Sequence, residues 1–182
     1  MLFRSLTSSL VLPAESSCRA EAVFREPGIV AGLPVFLRVF HLVDPAVRVD
    51  LLVAEGDEVP AGASVARLSG PARSVLTGER VALNLLQRMS GVATLTRAWV
   101  RRLEGSRTRV LDTRKTTPGL RTLERHAVRV GGGRNHRFCL SDAVLIKDNH
   151  IAVCGSVGEA VRRARAGLPL AAPVEVEVET LP

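Results

Sequence analysis

The stretch VLDTRKTTPGLRTLERHAVRVGGGRNHRFCLSDAVLIKDNH, residues 110–150, decides the fold that the sequence predicts. It alternates short apolar runs with polar loops and a helical pattern, and the alternation continues towards the last residues. Strands that alternate with helices in this way are typical of parallel βα units. The predicted elements are, in order, a strand at 110–112, a helix at 120–130, a strand at 143–146, a helix at 157–166 and a strand at 174–178.

The first hundred residues follow a different pattern. Apolar or alternating stretches separated by Gly and Pro turns predict short strands, and two stretches with apolar residues three and four apart predict helices. Gly91 lies in the second of these helices, at a point where the helix would bend or divide. The change of pattern near residue 105 predicts two regions, 1–104 and 105–182. The predicted strands of the first region span 20–25, 47–54 and 64–69, and its helices span 34–43 and 77–103.

The composition disfavours several classes of protein. With 46% hydrophobic residues the chain can bury a core, unlike a disordered segment. No run approaches the ~18 apolar residues of a membrane span, and the start of the sequence lacks the long apolar core of a signal peptide. The three cysteines form no CxxC pair, and this odd number of cysteines favours a reducing cytoplasm.

The net charge of +7 favours an anionic partner, although an arginine-rich surface would give the same charge. Nucleic acid is disfavoured, because the basic residues are neither interleaved with aromatic residues nor gathered in one long run. Only two of the 25 basic residues are lysines, Lys115 and Lys147, and each lies in a dense polar cluster. Because an ammonium group is not equivalent to a guanidinium at a reactive site, we expect a site for a small polyanion.

Polar residues follow the predicted strands at the ends where parallel α/β proteins place their functional side chains. The TRK segment, residues 113–115, follows the first βα strand, and KDNH, residues 147–150, follows the second. NHR, residues 135–137, precedes that second strand, and acids alternate with valines over 174–179. Cations and an acid on one rim suit a ligand that bears carboxylates and phosphates, together with a divalent metal.

Each of these features also has a simpler interpretation. The RK pair at 114–115 would equally suit a solvated charge pair, and GGGRNHR at 131–137 a flexible loop, since it lacks a P-loop or Rossmann pattern. Glu175 and Glu179 alternate with valines as on a half-exposed strand, so at most one of them need be functional. The histidines that receive no functional assignment are His41 and His126.

Several long motifs resemble those of the quinolinate phosphoribosyltransferase family. The resemblance extends from about Thr7 to the last residue, and the motifs are long and occur in the order of the family. They are FREPGIVAGL at 24–33, TGERVALNLLQRMSGVATLT at 77–96, LDTRKTTPGLR at 111–121, GGGRNHR at 131–137, DAVLIKDNHI at 142–151 and the EVEVETL end.

The resemblance implies an N-terminal α/β sandwich domain with a long helix, residues 1–104, and then the first three βα units of an incomplete β/α barrel, residues 105–182. It also implies a homodimer in which Arg80 completes the neighbouring subunit's site. Carried over by motif, the catalytic residues are Lys115, Lys147 and Glu177, with Glu177 also a metal ligand. The substrate-binding residues are Arg80, Thr113, Arg114, Lys115, His136, Arg137 and Lys147.

The implied reaction joins quinolinate to the phosphoribosyl group of phosphoribosyl pyrophosphate in the presence of Mg²⁺. Its products are nicotinate mononucleotide for NAD synthesis, pyrophosphate and CO₂. The arginines, His136 and Lys147 would hold the two carboxylates of quinolinate, and Lys115 would reach a phosphate or a carboxylate. Glu177 would help to organise Mg²⁺ and the ribose.

Two other functions stay open: a related phosphoribosyltransferase, or a molybdenum-operon paralogue, that acts on another ring acid, and a catalytically dead anion-binding subunit. A biotinyl or lipoyl carrier module, which residues 47–76 with their EGDEVPAG turn resemble, is disfavoured because that turn has no lysine. Relative to the family, the N-terminal helical segment is missing or replaced by MLFRSL, and the later barrel strands are absent. We therefore expect these 182 residues alone to be poorly soluble and inactive.

Overall fold

The computed structural model describes residues 5–169 and 172–180. Its helices are α1 (Leu6–Val11), α2 (Leu33–Val43), α3 (Ala72–Arg102), α4 (Arg121–Val130), α5 (Asp148–Cys154) and α6 (Val157–Gly167). Its strands are β1 (Ser17–Val23), β2 (Gly28–Ile29), β3 (Arg48–Leu51), β4 (Glu58–Val59), β5 (Ser64–Pro71), β6 (Val144–Ile146) and β7 (Val174–Val176). The predicted α/β class is confirmed, while the outer ends of the two predicted domains, residues 1–4 and 181–182, lie outside the described residues.

The chain divides into two compact units, Met1–Asn135 and His136–Pro182. The first predicted βα unit of the barrel belongs to the first of these, because Leu111 forms a parallel bridge with Arg134 and α4 packs against α3. The domain boundary at 104, where the residue pattern changes, stays a prediction.

An antiparallel sheet with the strand order β1-β5-β3 forms one layer of the Met1–Asn135 unit. Ala66 of β5 pairs with Ala22, and Leu68 pairs with Val49, so that apolar side chains share one face of the sheet. Helices α2 and α3 cover this face and enclose the main core with it.

The contact between α2 and α3 depends on two aromatic rings and a glycine. Phe36 and Phe40 are buried, with their ring centroids 5.2 Å apart in an edge-to-face arrangement. A Cβ atom at Gly78 of α3 would lie 2.9 Å from the Phe40 ring, so only glycine permits this close approach. Gly91 does not divide α3, which runs without interruption from Ala72 to Arg102; Gly91 is exposed, and buried residues lie on either side of it.

A second apolar cluster joins α3 to α4 through Met89, Ala93 and Ala127. The chain then leaves α4 at Gly131, where a Cβ atom would lie 2.5 Å from the Ala93 carbonyl oxygen. The first glycine of the GGGRNHR segment is therefore required by its close packing against α3.

The His136–Pro182 unit contains a parallel pair of strands. Val144 of β6 pairs with Val174 of β7, and Ile146 pairs with Val176. Helix α6 lies between these strands in the chain and is capped by Ser156, whose hydroxyl accepts a hydrogen bond from the Glu159 N–H (3.2 Å). This strand–helix–strand order is the predicted βα pattern.

The strand predicted at 110–112 does not belong to a sheet, so this prediction is wrong. Among the described residues Leu111 forms only an isolated bridge, because this stretch pairs with the segment that follows α4. The Arg134 N–H donates to the Val110 carbonyl (2.8 Å), and the Asp112 N–H donates to the Arg134 carbonyl (3.1 Å).

Helix α5 was not predicted; Lys147 caps it, and Asp148 is its first residue. The Lys147 N–H donates to Nδ1 of His150 (3.0 Å). The helix continues to Cys154 and ends at Gly155, which adopts a left-handed backbone conformation. Elements as short as α1, β2 and β4 show too little periodicity to be predicted. No helix within residues 5–169 and 172–180 combines the length and apolar character needed to cross a membrane.

Candidate active site

The TRK segment lies in the loop that leads from Asp112 to α4. The Thr113 hydroxyl accepts a hydrogen bond from the Lys115 N–H (3.1 Å), and the Arg114 carbonyl accepts one from the Thr116 N–H (3.0 Å). These bonds form a tight turn in which Thr113 and Lys115 are exposed. Lys115 makes no ion pair with any residue in the described ranges, so its ammonium group is available to an anion.

Arg114 differs from its two neighbours because its side chain is partly buried. Its Nε is buried and has no hydrogen-bond partner among residues 5–169 and 172–180. Leaving a buried donor unpaired costs about 1–3 kcal/mol, and more for a charged group. Such an atom is expected where a ligand supplies the missing acceptor.

A buried ionic network fixes the start of this loop. The carboxylate of Asp112 and the guanidinium of Arg125 are 5% and 9% exposed, and Arg125 Nη1 lies 2.8 Å from Asp112 Oδ1. The side-chain amide of Asn135 donates both to Asp112 and to the Arg125 carbonyl (3.0 Å for the second). The residue before the TRK segment therefore has little freedom to move.

A second carboxylate, that of Glu124, fixes the end of the loop. It accepts hydrogen bonds from the Thr117 N–H (3.1 Å), the Thr117 hydroxyl (2.7 Å) and the Arg88 guanidinium (2.6 Å). Burial alone would raise the pKa of Glu124, but the bonds from Thr117 and Arg88 outweigh it and hold the pKa below its ordinary value. Glu124 is therefore ionised at neutral pH.

In the His136–Pro182 unit, His136 and Lys147 each contact an acid at β7. His136 Nε2 lies 2.7 Å from Glu175 Oε2, and Lys147 Nζ donates to Glu177 Oε2 at 2.7 Å. The two acids are two residues apart, so they share one face of the strand, and their side chains are 59% and 63% exposed. Arg137 donates to the Ala143 carbonyl just before β6 (3.0 Å).

Arg80 lies on the exposed side of α3. Its one ion pair among the described residues is with the adjacent Glu79 at 3.8 Å, and its side chain is 72% exposed.

The structure places the predicted site residues in two groups. The first unit holds Arg80, Thr113, Arg114 and Lys115, and the second holds His136, Arg137, Lys147 and Glu177. Their roles stay predictions.

The described residues contain no group of three or more His, Cys, Asp or Glu side chains that could hold a metal ion. Glu177 is the predicted metal ligand, and its carboxylate is held by Lys147. Mg²⁺ usually requires one or two carboxylates together with substrate phosphates. These residues alone therefore do not form a Mg²⁺ site, and Mg²⁺ binding stays a prediction.

The sequence patterns did not identify the residues that hold the loop, Arg88 and Glu124, because 36 positions separate them. A local signal existed in α4, where Arg121, Glu124 and Arg125 are spaced three and four apart and so share one helix face.

The sequence patterns also did not identify Glu55, in the EGDEVPAG turn, because its partners are distant in the sequence. Its carboxylate accepts the N–H groups of Gly32 (2.7 Å) and Leu33 (2.9 Å) at the start of α2. It also lies 2.9 Å from His126 Nε2, so it joins α2 to α4.

Comparison with known proteins places both regions of the chain in one family. The N-terminal domain of quinolinate phosphoribosyl transferase matches residues 5–90, and the C-terminal domain matches residues 92–182. The chain is 50% identical over 175 residues to a probable nicotinate-nucleotide pyrophosphorylase [carboxylating] of Bacillus subtilis, covering 96% of this chain and 60% of that protein. It is 46% identical over 178 residues to the nicotinate-nucleotide pyrophosphorylase [carboxylating] of Mycobacterium leprae, covering 97% and 62%.

Solved structures agree with these matches. NadC from Streptococcus pyogenes superposes with a TM-score of 0.91 at 47% identity, covering 97% of this chain and 64% of that one. The nicotinate-nucleotide pyrophosphorylase of Francisella tularensis gives a TM-score of 0.91 at 40% identity, covering 97% and 62%. The chain thus spans about three fifths of the length of these relatives. The chain belongs to the quinolinate phosphoribosyl transferase family.

Proposed function

We propose that the full-length product of the gene encoding this chain transfers the phosphoribosyl group of phosphoribosyl pyrophosphate to quinolinate. The products are nicotinate mononucleotide, pyrophosphate and CO₂, and the reaction serves NAD synthesis. Family membership and the cationic residues of both units support this proposal. The three cysteines are free in the described structure, which suits a reducing cytoplasm.

The observation that carries the proposal is the buried, unpartnered Nε of Arg114. A guanidinium binds a carboxylate through a planar pair of hydrogen bonds, and quinolinate brings two carboxylates on adjacent ring carbons. The exposed ammonium of Lys115, next in the chain, suits a second anionic group of the same ligand or a phosphate.

The cations of the second unit are held in a way that permits exchange. Exposed ion pairs contribute only about 0–1 kcal/mol, because water competes for both partners. A carboxylate of quinolinate can therefore replace Glu177 at Lys147 at little cost. Glu177 keeps the Lys147 ammonium group oriented until the ligand arrives, and Glu175 orients the His136 ring in the same way.

In the proposed reaction, the ring nitrogen of quinolinate forms a bond to the anomeric carbon of the ribose as the carbon–oxygen bond to pyrophosphate breaks. The carboxylate beside the ring nitrogen then leaves as CO₂, and the electron pair left on the ring carbon is protonated. The family resemblance assigns the carboxylates to Arg80, Arg114, His136, Arg137 and Lys147, which would align the nitrogen for attack. Lys115 offsets charge on the phosphates. Glu177, once released by Lys147, is available to the ribose and to Mg²⁺, which would neutralise pyrophosphate when bound.

We also propose a homodimer in which Arg80 reaches the partner's site. Its exposed position on α3, with only the adjacent Glu79 as an ion-pair partner among the described residues, supports this role. Mixing Arg80→Ala with Lys147→Ala protomers should restore some activity, because one site of each mixed dimer carries neither change. No recovery in a mixture shown to exchange subunits would contradict a shared site.

The proposal is tested by incubating the full-length gene product with quinolinate, phosphoribosyl pyrophosphate and Mg²⁺ and measuring nicotinate mononucleotide and CO₂. Equimolar formation of both is the expected result. Pyrophosphate release with another ring acid but not with quinolinate would favour the paralogue, and binding without turnover would favour the dead subunit.

A further inference from the structure

We propose that Arg88 and Glu124 are positioning residues that hold Arg114 in its binding orientation. The proposal rests on the proposed function, because Arg114 is assigned there to a carboxylate of quinolinate. Neither Arg88 nor Glu124 belongs to the predicted substrate-binding set, and both act on the loop through Thr117.

The contacts among Arg88, Thr117 and Glu124 form a closed ring. The Arg88 Nη2 donates to the Thr117 hydroxyl (2.9 Å), this hydroxyl donates to Glu124 Oε1 (2.7 Å), and Arg88 Nε donates to the same carboxylate oxygen (3.0 Å). The other oxygen, Oε2, accepts the Thr117 backbone N–H (3.1 Å). Both the backbone and the side chain of Thr117 are therefore fixed.

The ring closes a short loop whose other end is already anchored. Residues 113–116 lie between Asp112, which the buried Arg125 holds, and Thr117. Within the loop, Arg121 donates to the Thr116 hydroxyl (3.1 Å) and to the Arg114 carbonyl (3.3 Å). Four residues between two fixed ends have few conformations, so the Arg114 side chain leaves the backbone in a defined direction.

Helix α4 supplies three of these contacts from one face. Glu124 and Arg125 lie three and four residues after Arg121, and Arg121, Glu124 and Arg125 hold the middle, the end and the start of the loop. Arg88 is the contribution of α3. Arg88 connects the loop to α3, the longest helix of the unit. Contacts from α4 alone would not provide this connection.

The same helix offers a matched control. Arg101 of α3 forms a two-bond pair with Glu58, as Arg88 does with Glu124, and both arginine side chains are 52% exposed. The Arg101 pair does not touch the TRK loop. Arg101→Ala should therefore reproduce the loss of an exposed arginine on α3 without disturbing Arg114.

The test uses the full-length gene product and measures quinolinate affinity and kcat/KM. Arg88→Ala and Thr117→Val should each lower kcat/KM for quinolinate by about 10- to 100-fold, the range for a small displacement of a binding group. Thr117→Ser keeps the hydroxyl and should stay near the wild-type value, as should Arg101→Ala. Wild-type values for Arg88→Ala would overturn the proposal.

A double substitution separates positioning from a general structural effect. If Arg88 acts through Arg114, adding Arg88→Ala to Arg114→Ala should cause little further loss of quinolinate affinity. Independent, additive losses would overturn the proposal.

Hydrogen exchange gives a readout that does not depend on the substrate. Arg88→Ala should speed exchange at the Lys115 and Thr117 amides, and Arg101→Ala should not. If exchange at these two amides is unchanged in Arg88→Ala, the positioning proposal is overturned, whether or not the wild type binds quinolinate. If the wild type binds no quinolinate, that result counts against the proposed function instead.

Discussion

The two units hold their carboxylates in opposite ways. In the Met1–Asn135 unit, Asp112 and Glu124 are buried and each accepts several hydrogen bonds from fixed donors. In the His136–Pro182 unit, Glu175 and Glu177 are exposed, and each contacts a single side chain, His136 and Lys147 respectively.

This difference separates charges that fix the chain from charges that remain available to a ligand. Removing one partner of a buried pair leaves a charge that water cannot reach, whereas an exposed pair can open without such a penalty. The buried charges should therefore govern stability, and the exposed cations should govern anion binding.

The largest effect on stability is expected at the buried pair. Arg125→Ala leaves Asp112 uncompensated and should lower the free energy of unfolding by about 3–5 kcal/mol, measured by urea denaturation. Arg162→Ala removes an arginine from an exposed pair with Glu159 and should leave the denaturation midpoint unchanged. A loss at Arg125 no larger than at Arg162 would remove the distinction between the two kinds of pair.

The largest effect on binding is expected at Arg114. Arg114→Ala should weaken the binding of quinolinate or of its transition state by about 2–5 kcal/mol, measured by calorimetry and kinetics. Its stability should not fall, because the substitution also removes a buried donor without a partner. Near-normal turnover would show that this guanidinium does not bind the substrate.

The pH dependence of stability provides a finer test at Glu124. Because its pKa is lowered in the folded chain, its contribution is fully present above about pH 4.3, the ordinary value for glutamate, and is lost as the pH falls further. Glu124→Gln should cost about 1–3 kcal/mol at pH 7, and the difference from wild type should narrow at lower pH. A constant difference would mean that Glu124 is not held as a carboxylate.

The smallest effect is expected at the exposed pair of the second unit. Glu177→Gln should change the free energy of unfolding by less than about 1 kcal/mol, and added salt should reduce even this difference. A larger, salt-insensitive loss would mean that Glu177 stabilises the fold, contrary to the comparison of the two units.

The sequence predicted the helices at 34–43, 120–130 and 157–166 almost to the residue, because their apolar spacing is strong and turn residues bound them. It also predicted the parallel strands of the second unit. It did not predict that Leu111 pairs with Arg134, since this choice depends on how closely Gly131 packs against α3.

The candidate site shows the same limit. The motifs predicted Arg114, Lys115, His136 and Lys147 as binding residues, and those roles stay predictions. The partners of these residues could not be predicted, because Glu124 and Arg88 meet across 36 positions and Lys147 and Glu177 across 30. Periodicity predicts which face of a helix or strand is buried, but not which distant side chain it contacts.

The most direct test of this account is the quinolinate affinity of Lys147→Ala in the full-length gene product, measured by calorimetry on protein whose denaturation midpoint has been determined. The account predicts an unchanged midpoint, because the ion pair of Lys147 is exposed. It also predicts a loss of binding of about 2–5 kcal/mol, the range for removing one partner of a charge pair that the bound ligand buries. A lowered midpoint with near-normal affinity would contradict it.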